Sequence, residues 1–374
     1  MPGSDRGGFP LWETLRVAND AAAWDQAGFR DRVQLALDGF LDSQAERLAP
    51  LGPDADRLLA EARTSVAGGK RLRAAFCYWG HRALAPGDDD EDALVRACSA
   101  LELLHASALV HDDYMDASDQ RRGRPATHRQ LEAEHRASGW RGDPEQYGAA
   151  GAILLGDLLL AWADEMLRRC GLPAERVAAA LDVYDLCRSE VITGQFLDVS
   201  VQARGRADVD TAMTVLRYKS AKYSIERPLH IGAALAGADR EAAAALSGFG
   251  LPLGEAFQLR DDLLGVLGDP ATTGKPAGDD LVEGKRTVLV ALALDALPDA
   301  DARLLDSSLG TALTADQVTR LAGLIEASGA PAQVEAVIDE LVGVALGALD
   351  RADVDEHARG VLRGLAAAAT RRAV

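Results

Sequence analysis

The chain has 374 residues, 48% hydrophobic and 26% charged, with a formal net charge of -18 and a pI near 4.8. That length can bury a sizeable core, and the acidity argues against nucleic acid or an anionic membrane as a partner of the molecule as a whole. Aromatic residues are only 5%, while Ala, Leu, Arg, Asp and Glu dominate, so an all-α protein is expected, of two domains or one large one as far as length goes.

Residues 1–22 read as a loose leader, ahead of one domain over 23–374. Phe29, Val33, Leu35, Leu37, Phe40 and Leu41 predict an amphipathic helix that Pro50 and Pro53 stop. Asp54 is the expected cap of the next helix, which Gly68 and Gly69 break, and Lys70 is expected to open a third helix that ends at Pro86. The acidic run at 88–92 reads as a solvated loop and helix N-terminus. A long apolar helix is predicted over about 93–117, followed by a polar surface excursion at 123–148. Further helices are expected over 149–169, 173–198, 208–236 with a kink at Pro228, and 240–267 interrupted by Pro252 and Gly254. A loop at 268–284 precedes more helices to the C-terminus. Cys77, Cys98, Cys170 and Cys187 show no C-x-x-C spacing and read as buried thiols in a reducing compartment. With a polar N-terminus and no long uninterrupted apolar run, a soluble, cytoplasmic protein without stable membrane insertion is expected.

The chemistry is concentrated in 101–124, LELLHASALVHDDYMDASDQRRGR. Asp112 and Asp116 lie one helical turn apart on one face, with Asp113 beside them and Asp119 beyond, so their oxygens can converge on hard divalent cations. Arg121, Arg122 and Arg124 suit a multiply charged anion held by the same metals. A second pair, Asp261 and Asp262, also follows an apolar helical run. Either pair alone reads as a solvated helix end; together they read as facing walls of one cavity. Magnesium binds one or two carboxylates and completes its shell with water and phosphate oxygens, which implies a phosphate-bearing substrate. Gly68-Gly69 permits a tight turn that would set Lys70 and Arg73 at the positive end of a helix.

These residues carry a resemblance. Gly68-Gly69-Lys70-Arg71-Leu72-Arg73, Asp112-Asp113-Tyr114-Met115-Asp116 followed by Arg121-Arg122-Gly123-Arg124-Pro125, and Phe257-Gln258-Leu259-Arg260-Asp261-Asp262 are similar to the signature set of the trans-isoprenyl diphosphate synthases, the polyprenyl synthetase family. Tyr218-Lys219-Ser220, Gly194 to Asp198, Gly274-Lys275 and Gly284-Lys285 resemble its lesser motifs, and the likeness spans about 30–365. The resemblance implies a magnesium-dependent prenyltransferase, expected to be a homodimer, that joins isopentenyl diphosphate to an allylic diphosphate. Asp112, Asp113 and Asp116, with Asp261 and Asp262, would hold three magnesium ions. Lys70, Arg73, His105 and Arg122 would bind isopentenyl diphosphate. Arg121, Lys219, Ser220, Gln258, Lys275 and Lys285 would contact the allylic diphosphate, with Asp112, Asp113, Asp116, Asp261 and Lys219 as the catalytic set. The fold it implies is a single-domain helical bundle around a deep central cavity. In three places the chain departs from the strictest family pattern: Gly265 stands where the second motif often carries a third aspartate, Ser220 replaces a threonine, and the stretch 123–148 is longer than in the shortest members.

In this family the residues four and five before the first motif often floor the product cavity, and here they are the small Ala108 and Ser107. The implied product is therefore longer than fifteen carbons, with geranylgeranyl diphosphate expected and Leu103, Leu104, Met166 or Phe196 setting a lower floor. The alternatives are a farnesyl or longer polyprenyl product, a class I terpene cyclase, and a non-catalytic partner subunit. A cyclase has no use for Lys70, Arg73, His105 and Arg122, and a silent subunit has no need of both acidic motifs.

Overall fold

The computed structural model describes residues 24–87, 90–206, 208–268 and 278–371, so the expected leader and Lys275 lie outside the described residues. The architecture is all-α. In chain order the helices are α1 (Gln26–Leu48), α2 (Pro53–Val66), α3 (Leu72–Leu84), α4 (Glu91–Met115), α5 (Thr127–Ala137), α6 (Pro144–Arg168), α7 (Ala174–Arg204) and α8 (Val209–Leu216). A π-helical segment, Arg217–Glu226, joins α8 to α9 (Arg227–Leu235). Then come α10 (Arg240–Leu267), α11 (Asp279–Glu283), α12 (Val288–Ala296), α13 (Asp299–Ser308), α14 (Ala315–Ala327), α15 (Ala330–Arg351) and α16 (Glu356–Thr370).

Helix α4 is apolar on nearly every side and is correspondingly buried, from Ala93 through Val110. It is the one described helix long and apolar enough to cross a membrane, and most of that stretch is buried inside the protein, as in a core helix. Its N-terminus is capped by Asp90, whose side chain accepts from the Ala93 amide at 3.0 Å. Glu91 in its first turn accepts from Arg32 at 2.7 Å, so part of the acidic run is structural. α4 packs along α6, α3 along α9, and α10 along α15. Two apolar clusters result, one around α1–α4, α6, α7, α9 and α16, the other where α8, α10 and α12–α15 meet.

Several expected boundaries differ. The cap of α2 is Gly52 with Pro53 at the first helical position, and Asp54 lies in the first turn. Lys70 does not open α3, because Arg71 adopts a left-handed conformation at the cap (φ 55°) and the helix begins at Leu72. Arg71 turns inward, donating to the Val66 carbonyl at 2.6 Å and to Glu102 at 3.2 Å. The stretch 123–148 is no loose excursion but holds α5 and the start of α6, because His128, Leu131, Glu132 and His135 recur at helical spacing and are buried. The signal was missed because three of those four are polar. α10 passes Pro252 without a break, and Pro228 falls in the first turn of α9, where its missing N–H costs little.

Candidate active site

A cavity of about 1280 Å³ opens beside the C-terminal end of α4, larger than the ~300–1,000 Å³ usual for a small-ligand pocket. Asp112 lines one side; Asp261, Asp262 and Gln258 on α10 line another. The two acidic motifs, distant in sequence, thus face one space. Lys70, Arg73, His105, Arg121, Arg122, Lys219, Ser220 and Lys285 line it as well. Asp113 does not reach the wall. It is buried and accepts from Arg121 Nε at 2.8 Å.

Arg121 and Arg122 are presented by a two-residue hairpin, with Gln120 paired to Pro125 and Arg121 to Arg124. Its central residues, Arg122 and Gly123, both have positive φ (52° and 72°), as tight hairpins require. For a non-glycine residue this conformation costs about 1–2 kcal/mol, and what it achieves is to lay the Arg122 guanidinium against the Gly68-Gly69 turn. Arg122 donates to the Ala67 carbonyl at 3.1 Å, and a Cβ on Gly69 would lie 3.3 Å from its Nη2. The turn therefore brings Lys70, Arg73 and Arg122 to one end of the cavity.

The π-helical segment shapes an adjoining wall. Such wide turns are rare and favour functional positions; here Lys219, Ser220, Tyr223 and Ser224 all reach the cavity. α7 comes so close at Gly194 that an added Cβ would lie 2.5 Å from the Lys219 amide nitrogen. Tyr223 and Ser224 escaped the sequence reading, although the four-residue step from Lys219 to Tyr223 is a helical one. Arg73 donates to Ser224 Oγ at 2.7 Å and lies over the Tyr223 ring at 4.2 Å. His105 Nδ1 pairs with the Tyr223 hydroxyl at 2.6 Å.

Burial, reinforced by the neighbouring Arg73 and Arg122 charges, holds His105 well below the ordinary histidine value of 6.5. The imidazole is neutral at pH 7. In the unfolded chain it gains a proton as pH falls through 6.5, whereas in the folded protein it does not. The stability tied to His105 is therefore fully present above that value and lost as pH falls below it. His105→Gln is expected to flatten the loss of stability on acidification from about pH 7 to 5.5, by up to roughly 1.4 kcal/mol per pH unit. Thermal melts of the two proteins showing identical pH slopes would contradict this.

The acidic groups are unevenly compensated. Asp112 accepts from Gln195 at 2.9 Å and from Lys219 at 3.2 Å; despite burial, Lys219, Lys285 and Arg121 keep its carboxyl well below the usual range. Asp116 has a side chain only 2% exposed, and neither of its oxygens has a hydrogen-bond partner. Burial and then the Asp112 charge push it up to about 6, although Lys285 lies 3.5 Å away. Burial, with Asp280 and Asp261 adding to it, pushes Asp262 up to about 7, against a 2.8 Å hydrogen bond from Gln258. Carboxylates left short of positive charge fit a site for divalent cations. Among the described residues no three His, Cys, Asp or Glu side chains converge closely enough to hold an ion by themselves, so a ligand's oxygens would complete the shell. Lys219 also donates to Asp198 at 2.6 Å, and Asp198 and Gln195 line the cavity, whereas Glu190 is taken up by Arg227 at 2.6 Å.

Away from the charges the cavity turns apolar. Ser107, Ala108 and Leu104 line it, as do Leu160, Ile192 and Phe196. Leu103 and Met166, the other residues considered for the floor, are buried in the core and are not part of the lining.

With this geometry in view, residues 56–324 match the family model described as polyprenyl synthetase. The chain belongs to the polyprenyl synthetase family. It is accordingly a prenyltransferase, of the class that makes trans-prenyl diphosphates. It is 36% identical to a geranylgeranyl diphosphate synthase of Mycobacterium tuberculosis, over 77% of each chain. It is 35% identical to a geranylfarnesyl diphosphate synthase of Aeropyrum pernix, over 71% of this chain and 77% of that one. Among solved structures, a geranylgeranyl pyrophosphate synthase from Corynebacterium glutamicum, complexed with isoprenyl diphosphate and magnesium, superposes with a TM-score of 0.91. The two are 41% identical, with 94% of this chain and all of that one covered.

Proposed function

We propose that this polyprenyl synthetase condenses isopentenyl diphosphate with an allylic diphosphate to geranylgeranyl diphosphate. The observation that carries the reading is one large cavity lined by carboxylates of both acidic motifs, by two groups of cationic side chains and by apolar and small residues that include Ser107 and Ala108. Asp112, Asp261 and Asp262, which line the cavity, are the groups that would hold magnesium, together with Asp116, which is buried outside the lining 3.5 Å from Lys285; Asp113 holds Arg121 in place beside them. Bound magnesium would supply Lewis-acid stabilisation of the departing diphosphate.

In this reading Arg121, Lys219, Ser220, Gln258 and Lys285 embrace the allylic diphosphate, and Lys275, outside the described residues, joins them. Their charge favours heterolysis of the allylic carbon–oxygen bond, whose electron pair leaves with the diphosphate. Lys70, Arg73, His105 and Arg122 hold isopentenyl diphosphate so that its double bond attacks the allylic cation. A proton then leaves the adjacent carbon for the released diphosphate, and the new chain lies along the apolar extension, from which water is excluded. No side-chain nucleophile takes part.

The product length rests on Ser107 and Ala108. Incubating the pure protein with magnesium, isopentenyl diphosphate and each allylic primer, then sizing the dephosphorylated products, tests it: geranylgeraniol is expected. A shorter or longer alcohol would overturn the length alone, while no consumption of isopentenyl diphosphate would overturn the reaction. A cytoplasmic homodimer is the expected assembly. It is favoured by exposed apolar residues of α6 and α7 outside the cavity lining, where Leu154 is 61% and Leu186 48% exposed. Sedimentation at the mass of a single 39.5 kDa chain would exclude that dimer.

A further inference from the structure

Glu102 lines the cavity together with Lys70, Arg73 and Arg122, yet a carboxylate among those cations repels the anion they suit. Both of its oxygens are engaged by the protein. Oε1 accepts from the Ala74 amide at 3.3 Å, and Oε2 accepts from Arg71 Nη1 at 3.2 Å. Ala74 stands in the first turn of α3, whose N–H groups have no partner within the helix, and Arg71 at the cap position supplies them no side-chain hydrogen bond. Glu102, reaching over from α4, is therefore the cap that α3 otherwise lacks. The Arg71 guanidinium serves the other side of the turn. Its Nη2 donates to the carbonyl of Val66, the last residue of α2, at 2.6 Å, and to Gln34 Oε1 on α1 at 2.5 Å. The side chains of Arg71 and Glu102 are only 5% and 6% exposed, so water cannot replace either partner of this ion pair. Between the two helix ends that the pair ties together lie Gly68, Gly69 and Lys70, and Arg73 follows in the first turn of α3.

We infer that Glu102 is a positioning residue for isopentenyl diphosphate: by capping α3 and holding Arg71 it fixes where Lys70 and Arg73 present their charges, without touching the diphosphate itself. This rests on the assignment of Lys70, Arg73, His105 and Arg122 to isopentenyl diphosphate made above, and it adds a residue that acts only through others. The left-handed backbone of Arg71 (φ 55°) belongs to the same device, since it turns the guanidinium inward to Glu102 while the chain runs on into α3. A Glu102 that faced the diphosphate directly would have the opposite signature. Removing its charge would then relieve repulsion and tighten isopentenyl diphosphate binding.

The test is initial-rate kinetics at saturating Mg²⁺, varying each substrate against a saturating amount of the other, for the wild type, Glu102→Gln, Arg71→Met and the double variant. Glu102→Gln keeps an acceptor for the Ala74 amide and removes the charge that holds Arg71. It is expected to raise KM for isopentenyl diphosphate on the order of tenfold, with a smaller change in kcat and no change in KM for the allylic diphosphate. Arg71→Met is expected to give the same split, and the double variant no more than the larger single effect, because the two residues act as one unit. An unchanged or lowered KM for isopentenyl diphosphate in folded Glu102→Gln overturns the inference, as does an equal rise in both KM values or an additive double variant. Where thermal melts show that Glu102→Gln does not fold, Gln34→Ala takes its place. It removes one acceptor of Arg71 and is expected to raise the same KM alone; an unchanged value there overturns the inference. A wild type that consumes no isopentenyl diphosphate overturns the functional reading and the inference with it, whereas one that does leaves the reading standing whatever the variants show.

Discussion

Asp112→Asn is expected to lower kcat/KM on the order of 10³-fold, about 4 kcal/mol of transition-state stabilisation. Asp112 is the carboxylate that Lys219, Gln195 and Arg121 all address, and its carboxyl is held well below the usual range, whereas that of Asp116 is pushed up. The amide keeps the shape and removes the charge. A cation that depends on that charge binds more weakly, and Lys219 loses one of its two acidic partners while keeping Asp198 at 2.6 Å. The Mg²⁺ concentration for half-maximal rate should rise together with the fall in kcat. Steady-state kinetics over a Mg²⁺ series checks this, and a loss of less than tenfold with unchanged Mg²⁺ dependence would show that Asp112 is not a metal-holding group. The fold should persist, because Asp112 sits at the cavity wall and not in either apolar cluster.

The second large effect is on product length. Ser107 is buried and lines the cavity one to two helical turns before the carboxylates, with Ala108 next in the chain and Ile192 and Phe196 also in the lining. A phenyl ring at 107 has open cavity to enter, so Ser107→Phe should cost little stability relative to overpacking a filled core, where ~1–3 kcal/mol is usual. It should block the apolar extension where a growing chain passes. The dominant product is expected to shift by at least one isoprene unit toward farnesyl diphosphate or shorter, with the rate of the first condensation retained. Chromatography of the dephosphorylated alcohols reads the shift directly, and an unchanged distribution would move the floor to Leu104 or Phe196.

Much of this was legible in the linear chain because the information is local. Asp112 and Asp116 are one turn apart, and a run of apolar residues before them predicts a buried helix whichever way it packs. Asp261-Asp262 repeats that context, and the Gly-Gly-Lys-Arg turn needs only its own glycines to be recognised. An all-α architecture likewise follows from composition and period. Helix α5 was not legible, since its buried face is built from His128, Glu132 and His135, whose burial depends on what lies opposite.

Some features were decided only when distant segments met. His105 and Tyr223 are 118 residues apart and share a 2.6 Å hydrogen bond; no periodicity encodes that pairing. The π-helical turns that bring Tyr223 and Ser224 to Arg73 are held between α7 and α10, and the left-handed Arg122 is held against a turn some fifty residues earlier. The sequence by itself determined which side chains could hold metal and diphosphate, because those are chemical identities at helical spacings. Only the tertiary structure decided which of them share a cavity, since that depends on contacts between segments that local spacing leaves open.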